Sequence, residues 1–257
     1  MTQAFTAEYT ALLASLCAAP AVRALGKTGG SALPAGDESD IDIMIFCAGV
    51  PSQSERERLT GGKNVADDPH WGHVDFASFQ GGEVCLMYHD MEAFSSYIEG
   101  VLHGDRLERE GDFYPTGCIS SVLGLHLYAD KDGAIARMQE NTRAMPDSLA
   151  QAMTRHHTGA LHSTEDFRRA IERKDALFYH AALEYALDHF LQALFAINRT
   201  WFPSRKRILR YLQDFAVKPE SCADRLLRAV ELGARADTLA ESYGVWKALE
   251  DELRALI

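Results

Sequence analysis

Two aspartates one residue apart, Asp40 and Asp42, border and enter the apolar run Ile41-Asp42-Ile43-Met44-Ile45-Phe46. Side chains at i and i+2 of a β-strand point to the same face, so this spacing sets two carboxylates side by side. Like charges that close repel unless a cation sits between them, and hard divalent ions take oxygen ligands of this kind. Upstream lies Gly29-Gly30-Ser31. Glycines there let backbone N–H groups approach an anion with no Cβ in the way, and Ser31 adds a hydroxyl donor. Alone, either motif describes a turn before an ordinary strand. In the order turn, loop, strand they describe a phosphate cradle beside a cation site.

A second chemical cluster lies far along the chain. Asn198-Arg-Thr-Trp-Phe-Pro-Ser-Arg-Lys-Arg207 gathers Arg199, Arg205, Lys206 and Arg207 around Trp201 and Phe202. Such a patch suits a triphosphate tail, with lysine as a point charge and arginine as a fork. It equally suits a helix end followed by a solvated basic face. Arg173 and Lys174 are weaker candidates of the same kind. His156, His157 and His162 lie on a predicted helix with no acidic residues at ligand spacing, and they read as solvent-facing or bundle-edge. Trp71 and Trp201 read as packing rather than as platforms for a base.

The elements that must position these groups follow from periodicity. Apolar residues at helical spacing predict a helix over 3–18, ended by Pro20, and a short strand from Ala21 to Leu25 leads to the glycines. After the Asp40–Phe46 strand, 51–59 reads as a polar, exposed helix broken by Gly61-Gly62. His73–Phe79 alternates as a strand, and Glu83–Tyr88 returns from Gly81-Gly82 as its hairpin partner. A helix over 90–102, a strand over 123–128 and a helix to about 143 follow. From Pro146 the signature becomes helical throughout: 149–171, 176–197, 221–232 and 237–256. The stretch 176–197 is apolar on nearly all faces, as the central helix of a bundle would be. These patterns predict an α+β chain. A mixed-sheet domain flanked by helices, residues 1–145, precedes an all-α helical bundle, residues 146–257.

Composition narrows the classes. The 257 residues are 47% hydrophobic and 25% charged, ordinary for a globular protein. No apolar run reaches the roughly 18 residues of a membrane span, and the first residues lack a basic leader with an apolar core. Five scattered cysteines without a C-x-x-C pair predict reduced thiols in a cytoplasmic protein. The net charge of −11 lies entirely in the first half, where residues 1–144 hold 10 Lys/Arg against 21 Asp/Glu. An acidic half of this kind argues against nucleic acid as a partner and accommodates metal ions or a cationic small molecule.

The spacing from Gly30-Ser31 to Asp40-Ile41-Asp42 resembles the signature of the polymerase-β-like nucleotidyltransferase superfamily, over roughly residues 21–90. The helical half looks like the C-terminal bundles of small-molecule nucleotidyltransferases, including antibiotic adenylyltransferases. The resemblance implies Asp40 and Asp42 as ligands of Mg²⁺ (or Mn²⁺), with Gly29, Gly30, Ser31 and Ser39 on the phosphates of ATP or another nucleoside triphosphate. It implies a third carboxylate on a neighbouring strand. Asp75, in Val74-Asp75-Phe76, is the choice, as metal ligand or general base. Glu83 is the runner-up, and Asp37 and Glu38 read as loop solvation. Lysines of the helical half reach nucleotide phosphates in such enzymes, which favours Lys206, with Arg207 beside it. The implied reaction moves a nucleoside monophosphate, AMP from ATP, to a hydroxyl of a small molecule and releases pyrophosphate. The alternative is a catalytically quiet nucleotide-binding module, regulatory or antitoxin-like.

Overall fold

The computed structural model of the chain describes residues 3–28, 41–62, 73–79, 82–111, 113–161 and 164–257. Gly29, Gly30, Ser31, Ser39 and Asp40 lie outside the described residues, as do Asp37, Glu38, Trp71 and His162. Contacts divide the chain into two units, Met1–Gly100 with Cys118–Arg143, and Val101–Gly117 with Ala144–Ile257. Val101–Gly117 thus belongs with the helices, whereas a single cut at residue 145 leaves it with the sheet.

The first unit is built on α1 (Gln3–Ala18), β1 (Val22–Thr28), β2 (Ile41–Cys47), α2 (Gln53–Thr60), β3 (Val74–Phe79) and β4 (Gly82–Asp90). Then come α3 (Met91–His103) and α4 (Pro115–Leu123), of which 101–103 and 115–117 fall in the second unit, and β5 (His126–Asp130) and α5 (Ala134–Asn141). The strands form one mixed sheet in the order β3-β4-β2-β1-β5. The β2–β4 pair is parallel, and the other pairs are antiparallel. β2 takes the centre because its isoleucines, Met44 and Phe46 give it apolar side chains for both faces. One face, carrying Ile41, Ile43, Ile45, Val84 and Leu86, packs in a core with Leu12 and Leu16 of α1.

α2 is short and almost wholly polar, and its ends are fixed locally. Ser52 and Glu55 form a capping box, with the Ser52 amide donating to Glu55 Oε2 at 2.8 Å. Gly61 closes it at φ 71°, a left-handed turn that glycine adopts without Cβ strain. The expectation of an exposed helix over 51–59 fails at Arg56, which is buried, as is Thr60 just beyond that range.

The second unit contains α6 (Asp147–Gly159), α7 (Thr164–Arg173), α8 (Ala176–Ile197), α9 (Ile208–Asp214), α10 (Cys222–Gly233) and α11 (Leu239–Ala255). The predicted helix 149–171 is in fact two. Gly159 is a poor helix former, and Glu165 and Asp166 favour a fresh N-terminus after it. α8 is the central helix, buried without interruption from Asp188 to Ala196, and Phe190, Phe195 and Trp246 share its core. Among the described residues no helix is long and apolar enough to cross a membrane.

Candidate functional site

Strand register decides which side chains share a face with Asp42. Thr28 of β1 lies opposite Asp42 in the antiparallel ladder, and Cys85 of β4 is its parallel partner. Cys85 in turn pairs with Phe76 of β3, and Ser78 pairs with Glu83. Side chains of rung partners, and of residues two apart, stand on one face. Thr28, Asp42, Phe76, Ser78, Glu83 and Cys85 therefore line the same side of the sheet.

That face is closed at one end and open at the other. At its closed end Phe46, His89 and Phe94 stack, with ring centroids 5.0–5.6 Å apart. Burial there holds His89 neutral, its pKa pushed down to about 4. Toward the other end Asp42, Cys85 and Phe76 are half-buried, and Ser78 and Glu83 are exposed. Glu83 sits two residues from the Asp42 rung, a diagonal separation of roughly 7–8 Å between backbones. The Ser78 hydroxyl donates to its Oε2 at 3.3 Å.

Asp75 is elsewhere, which corrects its assignment to this set. It pairs with Leu86, which pairs with Ile43, so its side chain stands on the opposite, core-packed face. There it is 0% exposed, and Arg56 Nε donates to both carboxylate oxygens at 3.2 and 3.1 Å. The guanidinium also donates to the Pro51 carbonyl at 3.3 Å and lies 5.5 Å from the centre of the Tyr88 ring. Burial, and then the Asp75 charge beside it, push the Tyr88 phenol well above its ordinary pKa. A carboxylate so enclosed is neutralised by its partner and has no access to a substrate. Glu83, the runner-up, is the acidic side chain of β3 and β4 that shares the open end with Asp42.

The basic stretch is divided in the structure. Trp201 and Phe202 are buried packing. Arg199 pairs with Asp147. Arg205 turns inward, donating from Nε to Asp188 Oδ1 at 2.8 Å and to the Tyr114 hydroxyl at 3.1 Å, and pairing with Glu184. Tyr114 donates its own proton to Asp188, and Gln192 Nε2 donates to the other Asp188 oxygen at 3.0 Å. Burial, then Asp188, raise the Tyr114 pKa. Lys206 and Arg207 remain at the exposed surface, where Arg207 adopts φ 61° ahead of α9.

The histidines also depart from expectation. His157 is fully buried, and its Nδ1 lies 2.9 Å from Nδ1 of His189 on α8. His156 is half-buried, with Nε2 2.7 Å from Glu108. Among the described residues no group of three or more His, Cys, Asp or Glu is placed to hold a metal ion.

Comparison with known proteins adds little to this geometry. Residues 114–207 match a family described as "Domain of unknown function (DUF4037)", a span that contains Tyr114, Asp188 and Arg205 but not Asp42 or Glu83. No curated protein sequence matches the chain. Among solved structures it is similar to a nucleotidyltransferase-like protein from Exiguobacterium sibiricum 255-15, at 11% identity and a TM-score of 0.47. That match covers 99% of this chain and 73% of the other. At that score the likeness supports no transfer of fold or activity from one chain to the other.

Proposed function

We propose that the chain is a metal-dependent nucleotidyltransferase, passing AMP from ATP to a hydroxyl of a small molecule with release of pyrophosphate. One observation carries the reading. Thr28, the residue before Gly29-Gly30-Ser31, is the ladder partner of Asp42. β1 therefore ends, at Thr28, at the same level of the sheet at which β2 presents Asp42. The stretch Gly29-Gly30-Ser31, proposed as the phosphate cradle, thus follows in sequence directly on the residue that pairs with Asp42, which supports the reading.

The donors at this end are of the right chemistry for a hard cation. Asp42 and Glu83 offer carboxylate oxygens on one open face, and Asp40 is the i−2 partner of Asp42. Asp40 and Asp42 would hold Mg²⁺ or Mn²⁺. When bound, the ion offsets the negative charge that builds on the phosphates and the departing pyrophosphate. Gly29, Gly30, Ser31 and Ser39 supply donors to the triphosphate. The acceptor hydroxyl oxygen bonds to the α-phosphorus, the bond from that phosphorus to the β-bridging oxygen breaks, and pyrophosphate leaves. Glu83 takes the hydroxyl proton. Substituting Glu83→Gln should lower kcat by roughly 10²–10⁴ while leaving the affinity for ATP nearly unchanged. An unchanged kcat would remove Glu83 from the chemistry.

The charge of the first half fits a small, neutral or cationic acceptor rather than nucleic acid. None of the five cysteines is in a disulfide, as suits a reducing compartment, and on that ground we propose a cytoplasmic location. The test is pyrophosphate release from ATP with Mg²⁺ across a panel of hydroxylated metabolites and antibiotics, alongside calorimetry of ATP binding with and without the metal. Turnover on any acceptor supports the enzyme. Metal-dependent ATP binding with no turnover on the panel supports the quiet module, and no binding at all overturns both.

A further inference from the structure

The second unit holds a cavity that neither the candidate site nor the proposed chemistry uses. Its volume is about 330 Å³, and Asn198, Thr200, Tyr211, Asp214, Phe215 and Ala216 line it. They come from the C-terminal ends of α8 and α9 and the turns that follow each helix. Local hydrogen bonds fix its walls. Asn198 Nδ2 donates to the carbonyls of Leu194 at 2.9 Å and Val217 at 2.7 Å, and its Oδ1 accepts from the Val217 amide at 3.0 Å. Lys218 Nζ donates to the Leu212 and Gln213 carbonyls at 2.6 and 2.8 Å, closing the end of α9. Phe195 packs against both Tyr211 and Phe215, with ring centroids 5.2 and 4.8 Å away. Preformed clefts of this size are the usual form of small-ligand sites.

The polar groups left over in this cavity are mainly acceptors. Thr200 spends its proton on the Asn198 carbonyl at 3.2 Å, which leaves its hydroxyl oxygen with lone pairs alone. Asp214 is exposed, and among the described residues its carboxylate makes no ion pair or hydrogen bond. The neighbouring cations are spent elsewhere, Lys218 on its two carbonyls and Arg199 on Asp147. The 22-residue α8 also ends here, so the negative pole of its backbone dipole lies at the cavity. Tyr211 stands three residues before Asp214 on α9, which sets the two side chains next to each other, and it is 37% exposed. Its hydroxyl accepts as readily as it donates. A complementary ligand therefore brings N–H donors and a flat face together. A simple ammonium has the donors without the face, and an apolar ring has the face without the donors. A guanidine unit has both, because two parallel N–H groups match the two oxygens of a carboxylate and its plane stacks on an aromatic ring.

We propose that this cavity binds a planar guanidine unit, with its paired N–H groups on the Asp214 carboxylate and its face on the Tyr211 ring. Small molecules offer that unit in two forms. An alkyl guanidinium carries a full positive charge, which suits Asp214 and adds a cation–π attraction to Tyr211. The guanine base is neutral, and it presents a ring N–H and an exocyclic amino group side by side on a larger stacking surface. The site stands on residues 198–216 alone and is independent of the nucleotide-transfer reading.

Titration of the full chain with agmatine and, separately, with guanosine, followed through its backbone amides by NMR, tests this. Saturable shifts should map to residues 198–200 and 211–216, while α6 and α7 stay unmoved. Asp214→Asn should weaken binding roughly tenfold or more, because it removes the charge and one of the two acceptor oxygens. Asp214 is exposed, so the substitution should leave the unfolding midpoint unchanged. Tyr211→Leu should weaken binding about threefold through the lost aromatic face. Two controls separate the guanidine unit from its parts. n-Butylamine is a cation without a plane, and adenosine is a base without paired donors; each should bind roughly tenfold more weakly. Saturation by agmatine, by guanosine or by both supports the site and identifies its source of ligand. No saturable shift with either probe overturns it, as does equal binding of the controls or parental affinity in Asp214→Asn.

Discussion

Replacing Asp42 by asparagine should lower pyrophosphate release roughly a thousandfold and leave the unfolding midpoint unchanged. The side chains are of equal size, and Asp42 is half-buried at the open end of its face, so little packing is at stake. What is lost is one full negative charge and a hard oxygen donor. A cation that stabilises transferring phosphate contributes several kcal/mol to the barrier, and about 4 kcal/mol corresponds to that thousandfold change. Two further readouts separate this from damage to the fold. Affinity for ATP in the presence of Mg²⁺ should fall, whereas affinity measured in a chelator should match that of the parent protein. Since Thr28 is the ladder partner of Asp42, hydrogen exchange along β1 and β2 should be unaltered. A variant that turns over at the parental rate removes Asp42 from the reaction, and the proposed activity with it.

What could be read from the chain, and what could not, divides along the range of the interactions. Strand and helix identity came from local periodicity. The alternation over 74–79, the Gly81-Gly82 turn and the isoleucines of 41–45 define β3, β4 and β2, and the unbroken apolar surface of 176–197 defines the central α8. The face of Asp75 did not follow from the same pattern. Alternation says that Asp75 and Phe76 point opposite ways. Which of them joins Asp42 depends on the β3–β4 and β2–β4 registers, where a slip of one residue exchanges the two faces. Arg56 was hidden for a related reason. A charged residue on a polar helix reads as solvated, and only a buried acid 19 residues away demands it. The clue was present in Asp75 itself, since an ionised side chain inside an apolar strand requires a partner. Arg205 shows the same limit, because its neighbours in sequence are cations while its partners, Asp188 and Glu184, lie 17 and 21 positions back on α8. His157 looked polar beside His156, and its true neighbour lies 32 residues on.

The largest loss of stability in the first unit should come from Arg56→Met. The substitution keeps the length of the side chain but leaves Asp75, 0% exposed, with its charge unanswered in the core. Removing one member of a buried ion pair costs about 3–5 kcal/mol, much of the stability of a typical domain. Asp75→Leu alone should be costly as well, because it strands the guanidinium. The double variant Arg56→Met/Asp75→Leu should recover most of the loss, since an apolar pair of similar volume carries no desolvation penalty. Chemical denaturation followed through the β-sheet signal measures all three. The same double variant also decides the role of Asp75. With the carboxylate buried against α2, on the face away from Asp42, pyrophosphate release by the refolded double variant should stay within a few-fold of the parent. A stable double variant that has lost turnover would return Asp75 to the reaction, and would require the β3–β4 register to differ in the working enzyme. Retained turnover would leave β3 with a structural task, holding α2 against the sheet through one buried arginine.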